Sequence, residues 1–307
     1  MSLSVKEILS IGKRQLEENG VLDADIDSKT LYCFMMNIER SRLILEYQNI
    51  LQDGLCDDYF ALLDRRSAGE PIQYIMGSQE FMGLDFKVDE NVLIPRQDTE
   101  TLVEDVISVL KEHTLRGEPV EVPKMKEPEC LDLCCGSGAI GVSLAKLCSP
   151  IKVTCTDVSS GALGIAKENA QKNQVSKSMS FECGDMFGPF KGRLKNRKFD
   201  IIVTNPPYIK TDVIPTLQRE VKDHEPLQAL DGGADGLDFY RRIVEEAPNH
   251  LKKGGILMME IGHDQMADCL KMLEENGSYT QIKGLKDLAG RDRIVFCTLD
   301  PELKKKR

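Results

Sequence analysis

From residue 129 onward, short apolar runs alternate with stretches of helical periodicity, and no other feature restricts the fold as strongly. Strands are expected over 130–133, 152–156, 179–183, 200–204 and 255–261, with a final pair near 281–284 and 293–299. Helices fill the gaps, most clearly over 140–147, 161–173, 237–251 and 264–276. Repetition of strand and helix in this order puts helices on both faces of a mostly parallel sheet. The expected fold class is α/β.

The N-terminal part has a different texture. Val5, Ile8, Leu9 and Ile11 begin an apolar helical face that continues over 24–36 and 43–50, with Asp53-Gly54 as a break. A further helix over 57–66 ends at Ala68-Gly69-Glu70-Pro71. This small all-α unit is equally readable as a packing cap or as a docking surface. Glu80-Phe81-Met82 and Leu84 to Val88 then alternate around Gly83, and Asp89-Glu90-Asn91 turns into Val92-Leu93-Ile94. That is the pattern of a β-hairpin joining two domains. After Pro95, Asp98 or Thr99 is expected to cap an amphipathic helix running to about His113, and 117–129 reads as a hydrophilic linker. The expected division is a helical domain over 1–77, a hairpin linker over 78–95 and a larger domain over 96–307.

A chain of 307 residues fits two domains, and 41% hydrophobic with 29% charged residues is ordinary for a soluble globular protein. The net charge of −10 argues against direct grip on nucleic acid, which normally requires a basic face, and suits a basic protein partner. The ten cysteines are scattered through strands and helices with no signal peptide ahead of them, as in a reducing cytosol. Cys130, Cys134 and Cys135 are close together, but no second Cys/His pair stands at zinc spacing, so no metal is expected. No stretch reaches the roughly 18–20 apolar residues of a membrane span. A cytoplasmic monomer is expected, with Lys304 to Arg307 as a solvated tail.

Two motifs carry chemistry. The buried run Phe199 to Thr204 ends in Asn205-Pro206-Pro207-Tyr208, at the sheet edge where open α/β folds bind ligands. Asn205 offers an amide oxygen, Pro206 a carbonyl without a competing N–H, the paired prolines rigidity, and Tyr208 a flat face. Two acceptors and a ring suit a planar –NH2 group; a Pro-Pro turn closing a strand is the plainer alternative. The second motif is the strand, turn and helix start of Glu129 to Ile140, with Cys134-Cys135-Gly136-Ser137-Gly138 as the turn. Asp157 ends the next strand, where a carboxylate accepts from both ribose hydroxyls, and Asp185-Met186 ends the third, beside an adenine. These positions imply a nucleoside-bearing cofactor. The turn is no Walker A, and it is not read as a good dinucleotide fingerprint, although Gly141 is near.

This order of motifs resembles class I methyltransferases that use S-adenosylmethionine, and Asn-Pro-Pro-Tyr resembles those acting on planar nitrogens. Further blocks narrow the likeness: 69–77, Glu80-Phe81, 93–100, Glu225-Pro226 with 229–237, and Glu260-Ile261-Gly262. Together they resemble the HemK/PrmC family of release-factor glutamine methyltransferases almost end to end. The resemblance implies a five-helix N-terminal domain, a hairpin linker and a seven-stranded Rossmann-like catalytic sheet. It also implies methyl transfer to the Gln side chain in the Gly-Gly-Gln motif of class I peptide-chain release factors.

On this reading Asn205 Oδ1 and the Pro206 carbonyl each accept an amide hydrogen, Pro207 stiffens the loop, and Tyr208 stacks on the amide. Cys134 to Gly138, Asp157, Asp185, Met186 and Asn205 would hold the cofactor. Arg96, Thr99, Glu100 and Glu260 are either local structure or neighbours of its methionine end. None of the histidines is given a role. The family turn usually begins with Gly where this chain has Cys134, which is expected to keep an ordinary backbone conformation. The competing readings are an amino-methyltransferase acting on adenine or cytosine of nucleic acid, then a non-catalytic binding protein on the same scaffold, and last an NAD-dependent oxidoreductase.

Overall fold

Ser4 and Glu7 form a reciprocal capping box, and this starts the first helix, α1 (Val5–Glu18). It is followed by α2 (Ala24–Met36), α3 (Leu43–Glu46), α4 (Asp53–Ser67) and α5 (Ile72–Met76). The computed structural model describes residues 3–192 and 194–303, so the basic tail falls outside the described residues. These helices belong to a compact unit that runs to Ser78 and also includes Leu217–His224. Its core holds Ile8, Leu16, Leu31, Tyr32, Tyr59 and Leu63. The Ser28 hydroxyl donates to the Leu9 carbonyl at 3.0 Å and meets the Tyr59 hydroxyl at 2.7 Å, so these buried polar atoms are paired. Buried Arg66 reaches Asp27 and Glu220, each at 2.7 Å, tying Leu217–His224 to this core.

Two sequence expectations fail here. Asp53-Gly54 does not break a helix but starts α4, because Gly54 sits in the first turn with open space around it. The 43–50 helix shrinks to one turn, after which Asn49 accepts from Val5 N and Ile50 bridges to Ser4.

The second unit comprises Gln79–Thr216 and the chain from Glu225 onward. It opens with the hairpin β1 (Ser78–Phe81) and β2 (Leu84–Lys87), turned by Met82 and Gly83, both at positive φ as a type I′ turn requires. Then come α6 (Gln97–Glu112), a two-stranded turn of β3 (Thr114–Leu115) and β4 (Glu118–Pro119), and β5 (Glu129–Leu133). The rest is α7 (Ala139–Leu147), β6 (Lys152–Asp157), α8 (Ser160–Lys172), β7 (Met179–Cys183), β8 (Phe199–Thr204), α9 (Arg219–Lys222, part of the helical unit), α10 (Asp238–Glu246), β9 (Leu251–Glu260), α11 (Met266–Asn276), β10 (Tyr279–Lys286) and β11 (Asp292–Leu299).

Seven strands form one sheet in the order β10-β11-β9-β8-β5-β6-β7. The pairs from β9 through to β7 are parallel, and β11 is antiparallel to both β9 and β10. The expected α/β class with a mostly parallel sheet is borne out. Separate apolar clusters cover the two faces, one built with α6, α7 and α8, the other with α10 and α11. The chain moves outward from β5 through β6 to β7, then returns to β8 on the other side of β5. That reversal opens a crevice beyond the strand ends.

Val92 to Ile94 make no strand, and the supposed 117–129 linker begins with the β3–β4 pairing. The helix expected over 237–251 ends at Glu246, where Ala247–Asn249, carrying Pro248, tightens into a 3-10 turn. Leu251 already belongs to β9. Among the described residues no helix is long and apolar enough to cross a membrane. All ten cysteines are free thiols.

Candidate active site

The turns after β5 and β8 start side by side. Leu133 and Thr204 are register partners, and the Thr204 hydroxyl donates to the Leu133 carbonyl at 2.6 Å. The first turn bends at Cys134 (φ 59°), Gly136 (φ 51°) and Gly138 (φ 77°). Cys134 therefore departs from the ordinary conformation expected of it and takes the left-handed one, because the strand must turn at once into α7. Its sulfur lies 3.8 Å from that of Met186, itself at φ 51°. Gly136 faces open space, with no atom within 4 Å of where a Cβ would stand. Gly141 is the third glycine of a complete G-x-G-x-x-G run with Gly136 and Gly138, which the sequence reading undervalued. A Cβ there would lie 2.8 Å from both Asp132 Oδ2 and Cys155 Sγ, so only glycine lets α7 settle on the sheet. Its N–H donates to the fully buried Asp132 carboxyl, which burial pushes up to about 7.

Asp157 is held from both sides, Oδ2 accepting from Gly136 N and Oδ1 from Ser159 N, each at 2.9 Å. Burial nonetheless raises its proton affinity. Asp185 pairs with Arg242 at 2.6 Å. Fully buried Asn169, unremarked in the sequence, ties the β2 hairpin to the turn: it pairs both ways with the Lys87 backbone and donates to the Ser137 carbonyl at 2.9 Å.

The Asn205–Tyr208 turn is clamped by residues far downstream. Ile209 N–H donates to Leu230 O, and Gly232 N–H to Ile209 O. Buried Gln265 donates from Nε2 to the carbonyls of Tyr208 (2.9 Å) and Gly236 (3.0 Å) and accepts from Gly262 N. At Gly236 a Cβ would come within 2.4 Å of the Tyr208 oxygen. Sequence reasoning matched the 229–237 block by likeness alone and missed Gln265 entirely, since nothing local signals either contact.

Neither Asp98 nor Thr99 caps α6. Arg96 occupies the cap position without a side-chain capping bond, and Thr99 sits in the first turn with its hydroxyl accepting from Asn205 Nδ2 at 3.2 Å. Arg96 is ion-paired with buried Glu225. Glu100 accepts from Met82 N at 2.6 Å, which holds the hairpin turn. Glu260, at the end of β9, is 1% exposed, and its Oε2 has no hydrogen-bond partner among the described residues. Burial pushes it up to about 7, against the opposing pull of Arg293.

These residues surround a cavity of about 710 Å³. Its wall includes Arg96, Thr99, Cys134 to Ser137, Asp157, Asp185, Met186, Asn205 and Pro207. Gly138, Pro206 and Tyr208 do not line it. The Tyr208 ring packs against the core cluster, and burial pushes its hydroxyl up to about 12. Phe81 and Phe239 are the aromatic wall instead, joined by Pro226 to Ala229.

Sheet order, glycine turn and cleft together define a methyltransferase architecture. Residues 7–77 match the family model described as PrmC N-terminal domain, and residues 120–221 that described as Methyltransferase small domain. A release factor glutamine methyltransferase of Clostridium acetobutylicum is 40% identical, over 88% of this chain and 90% of its own length. One from Moorella thermoacetica is 38% identical, over 96% of this chain and 98% of its own length. The hMettl16 catalytic domain, solved with a MAT2A 3'UTR hairpin, shares the fold at TM-score 0.53 and 14% identity, over 84% of this chain and 86% of that one. The chain belongs to the release factor glutamine methyltransferase family.

Proposed function

We propose that this protein transfers a methyl group from S-adenosylmethionine to the side-chain amide nitrogen of the Gln in the Gly-Gly-Gln motif of class I release factors. The observation that carries the reading is that Asn205 and Asp157 stand on the wall of one cavity, in a chain alike over nearly its whole length to enzymes named for this reaction.

The cavity suits the cofactor. Asp157 is an acceptor for a ribose diol, and Val158, a large apolar side chain left 55% exposed on the wall, together with Ile140 and Met186 suits a purine face. Gly136 leaves room for close approach. Arg96 and Thr99 are assigned to the amino-acid end, and Asp185 with Met186 to the adenine. Bound there, S-adenosylmethionine supplies a methyl group already activated on a sulfonium.

The chain's own residues have to orient a poor nucleophile, since an amide nitrogen shares its lone pair with the carbonyl. Asn205 Oδ1, on the cavity wall, accepts one amide hydrogen, and the carbonyl of Pro206, between the wall residues Asn205 and Pro207 in the chain, is assigned the second; together they aim the nitrogen and favour its pyramidal form. Such fixing of geometry lowers a barrier by as much as about 7–11 kcal/mol. Pro207 and Tyr208 keep the acceptors rigid, and Phe239 covers the amide plane. No general base is required, because a methylated cationic nitrogen loses its proton readily to water. We assign release-factor docking to the helical unit, where Leu22, Ile44 and Leu45 are more than two-thirds exposed.

The test is tandem mass spectrometry of a class I release factor incubated with the protein and S-adenosylmethionine. The reading requires a gain of about 14 Da on the Gln of Gly-Gly-Gln. Methyl transfer to nucleic acid alone, or to another release-factor residue, overturns it.

A further inference from the structure

We infer that Asp231 is a further substrate-binding residue, whose carboxylate accepts main-chain N–H groups of the peptide that carries the target Gln. The inference deepens the proposed function and rests on it. Two glycines ahead of a Gln carry no side chains, so recognition beyond shape has only their peptide groups to use. The hydrogens of the target amide are already assigned to Asn205 Oδ1 and the Pro206 carbonyl. A third acceptor fixed on the same wall is left for another donor.

Asp231 lines the cavity, as do Asn205, Pro207 and Phe239. Backbone contacts alone fix it to the Asn-Pro-Pro-Tyr turn. Ile209 and Asp231 form an isolated parallel bridge. On either side of it, Ile209 N–H donates to Leu230 O at 3.0 Å and Gly232 N–H to Ile209 O at 2.8 Å. A Cβ at Gly232 would stand 2.7 Å from Tyr208 Cα and 2.9 Å from the Pro207 oxygen, so only glycine allows this approach. The carboxylate therefore moves with the loop that carries the two amide acceptors.

Its two oxygens are used differently. Oδ1 accepts from Thr211 Oγ1 at 2.7 Å and from Gly233 N at 2.9 Å. Oδ2 accepts from no donor among the described residues. Shaping the loop requires only the Oδ1 bonds, which an Asn would make as well. The second oxygen is a preorganised acceptor, and its bonds to peptide N–H groups would be charge-assisted. The same oxygen repels a peptide carbonyl, so it also selects the direction in which the chain runs past it. The ammonium of the cofactor is the competing donor, and the two are separated by which ligand loses affinity.

The experiment is steady-state methylation of an intact class I release factor by the parent and by Asp231→Asn. Cofactor Kd is measured by calorimetry and the methylated residue is located by mass spectrometry. The substitution keeps an oxygen for the Thr211 hydroxyl and the Gly233 N–H. Because that N–H can only donate, the new side chain cannot turn over, and it offers –NH2 where Oδ2 stood. KM for the release factor should rise at least about tenfold with kcat within about threefold, as when an interaction made equally in ground and transition states is lost. Cofactor Kd should stay within about twofold of the parent and the thermal midpoint should not move. An unchanged KM overturns the inference. So does a loss confined to kcat, and so does a weakened cofactor Kd with KM kept, which would give Asp231 to the ammonium. Should Asp231→Asn not fold, Thr211→Val decides: it leaves the carboxylate but removes one tether, and an unchanged KM overturns the inference while a rise of about threefold or more supports it. If the parent leaves the Gln unmethylated, the functional reading fails; if it methylates the Gln and Asp231→Asn keeps the parent KM, only the role of Asp231 fails.

Discussion

Cys134 holds a φ of 59° at the first bend of the glycine turn after β5, a conformation that costs an L-residue about 1–2 kcal/mol. The thiol offsets part of this by packing toward the core beside the Met186 sulfur. Replacement by Gly removes both the strain and the packing, so Cys134→Gly should stay within about 1 kcal/mol of the parent. Cys134→Val keeps the strain and adds a branch that this backbone tolerates poorly, so it should lose about 1–3 kcal/mol. Urea unfolding of the three proteins decides the point, and an unshifted Val midpoint contradicts the strain. The sequence disclosed the departure at Cys134 but not its φ, because composition cannot tell whether a turn moves around a bulky residue or forces it over. The same limit hid the roles at the start of α6. Thr99 looked like a cap, and the structure spends its hydroxyl on Asn205, an interaction 106 positions distant in the chain.

At the scale of elements, strands were legible wherever an apolar run stood alone, and β5 to β8 were read to within a residue or so of their bounds. Errors came where a local rule met a competing one. The 237–251 periodicity ran past Pro248, and β10 carries a bulge between Thr280 and Lys283 that disturbs its alternation. The Asn-Pro-Pro-Tyr motif was readable, but the parts that grip it were not, since Gly236 and Gln265 stand just ahead of α10 and α11, far along the chain. Gln265→Ala would strip partners from the Tyr208 and Gly236 carbonyls and from Gly262 N–H, three groups that each cost about 1–3 kcal/mol if left buried and unpaired. The loop should loosen while the Asp157 side of the cleft is untouched. We expect kcat to fall at least about tenfold with cofactor Kd unchanged by calorimetry. Equal losses in both would mean that Gln265 supports the whole cleft and not the loop.

Over the whole molecule, the alternation after residue 129 determined the sheet, and its reversal between β7 and β8 puts the glycine turn after β5 and the Asn-Pro-Pro-Tyr turn after β8 on adjacent strands. The participation of Leu217–His224 in the helical unit was invisible beforehand. Eight residues with no distinctive pattern give no sign that Arg66 will bury itself against Asp27 and Glu220. On the proposed function the labour divides along one crevice: the β5 and β6 ends would hold the cofactor, and the β8 end the amide. The most direct test separates these two with a single variant. For Asn205→Ala, cofactor Kd measured by calorimetry should stay within about twofold of the parent, while single-turnover methylation of a release factor should slow at least about a hundredfold. Methylation at the parent rate, or a loss of cofactor binding large enough to account for the slowing, would contradict the account.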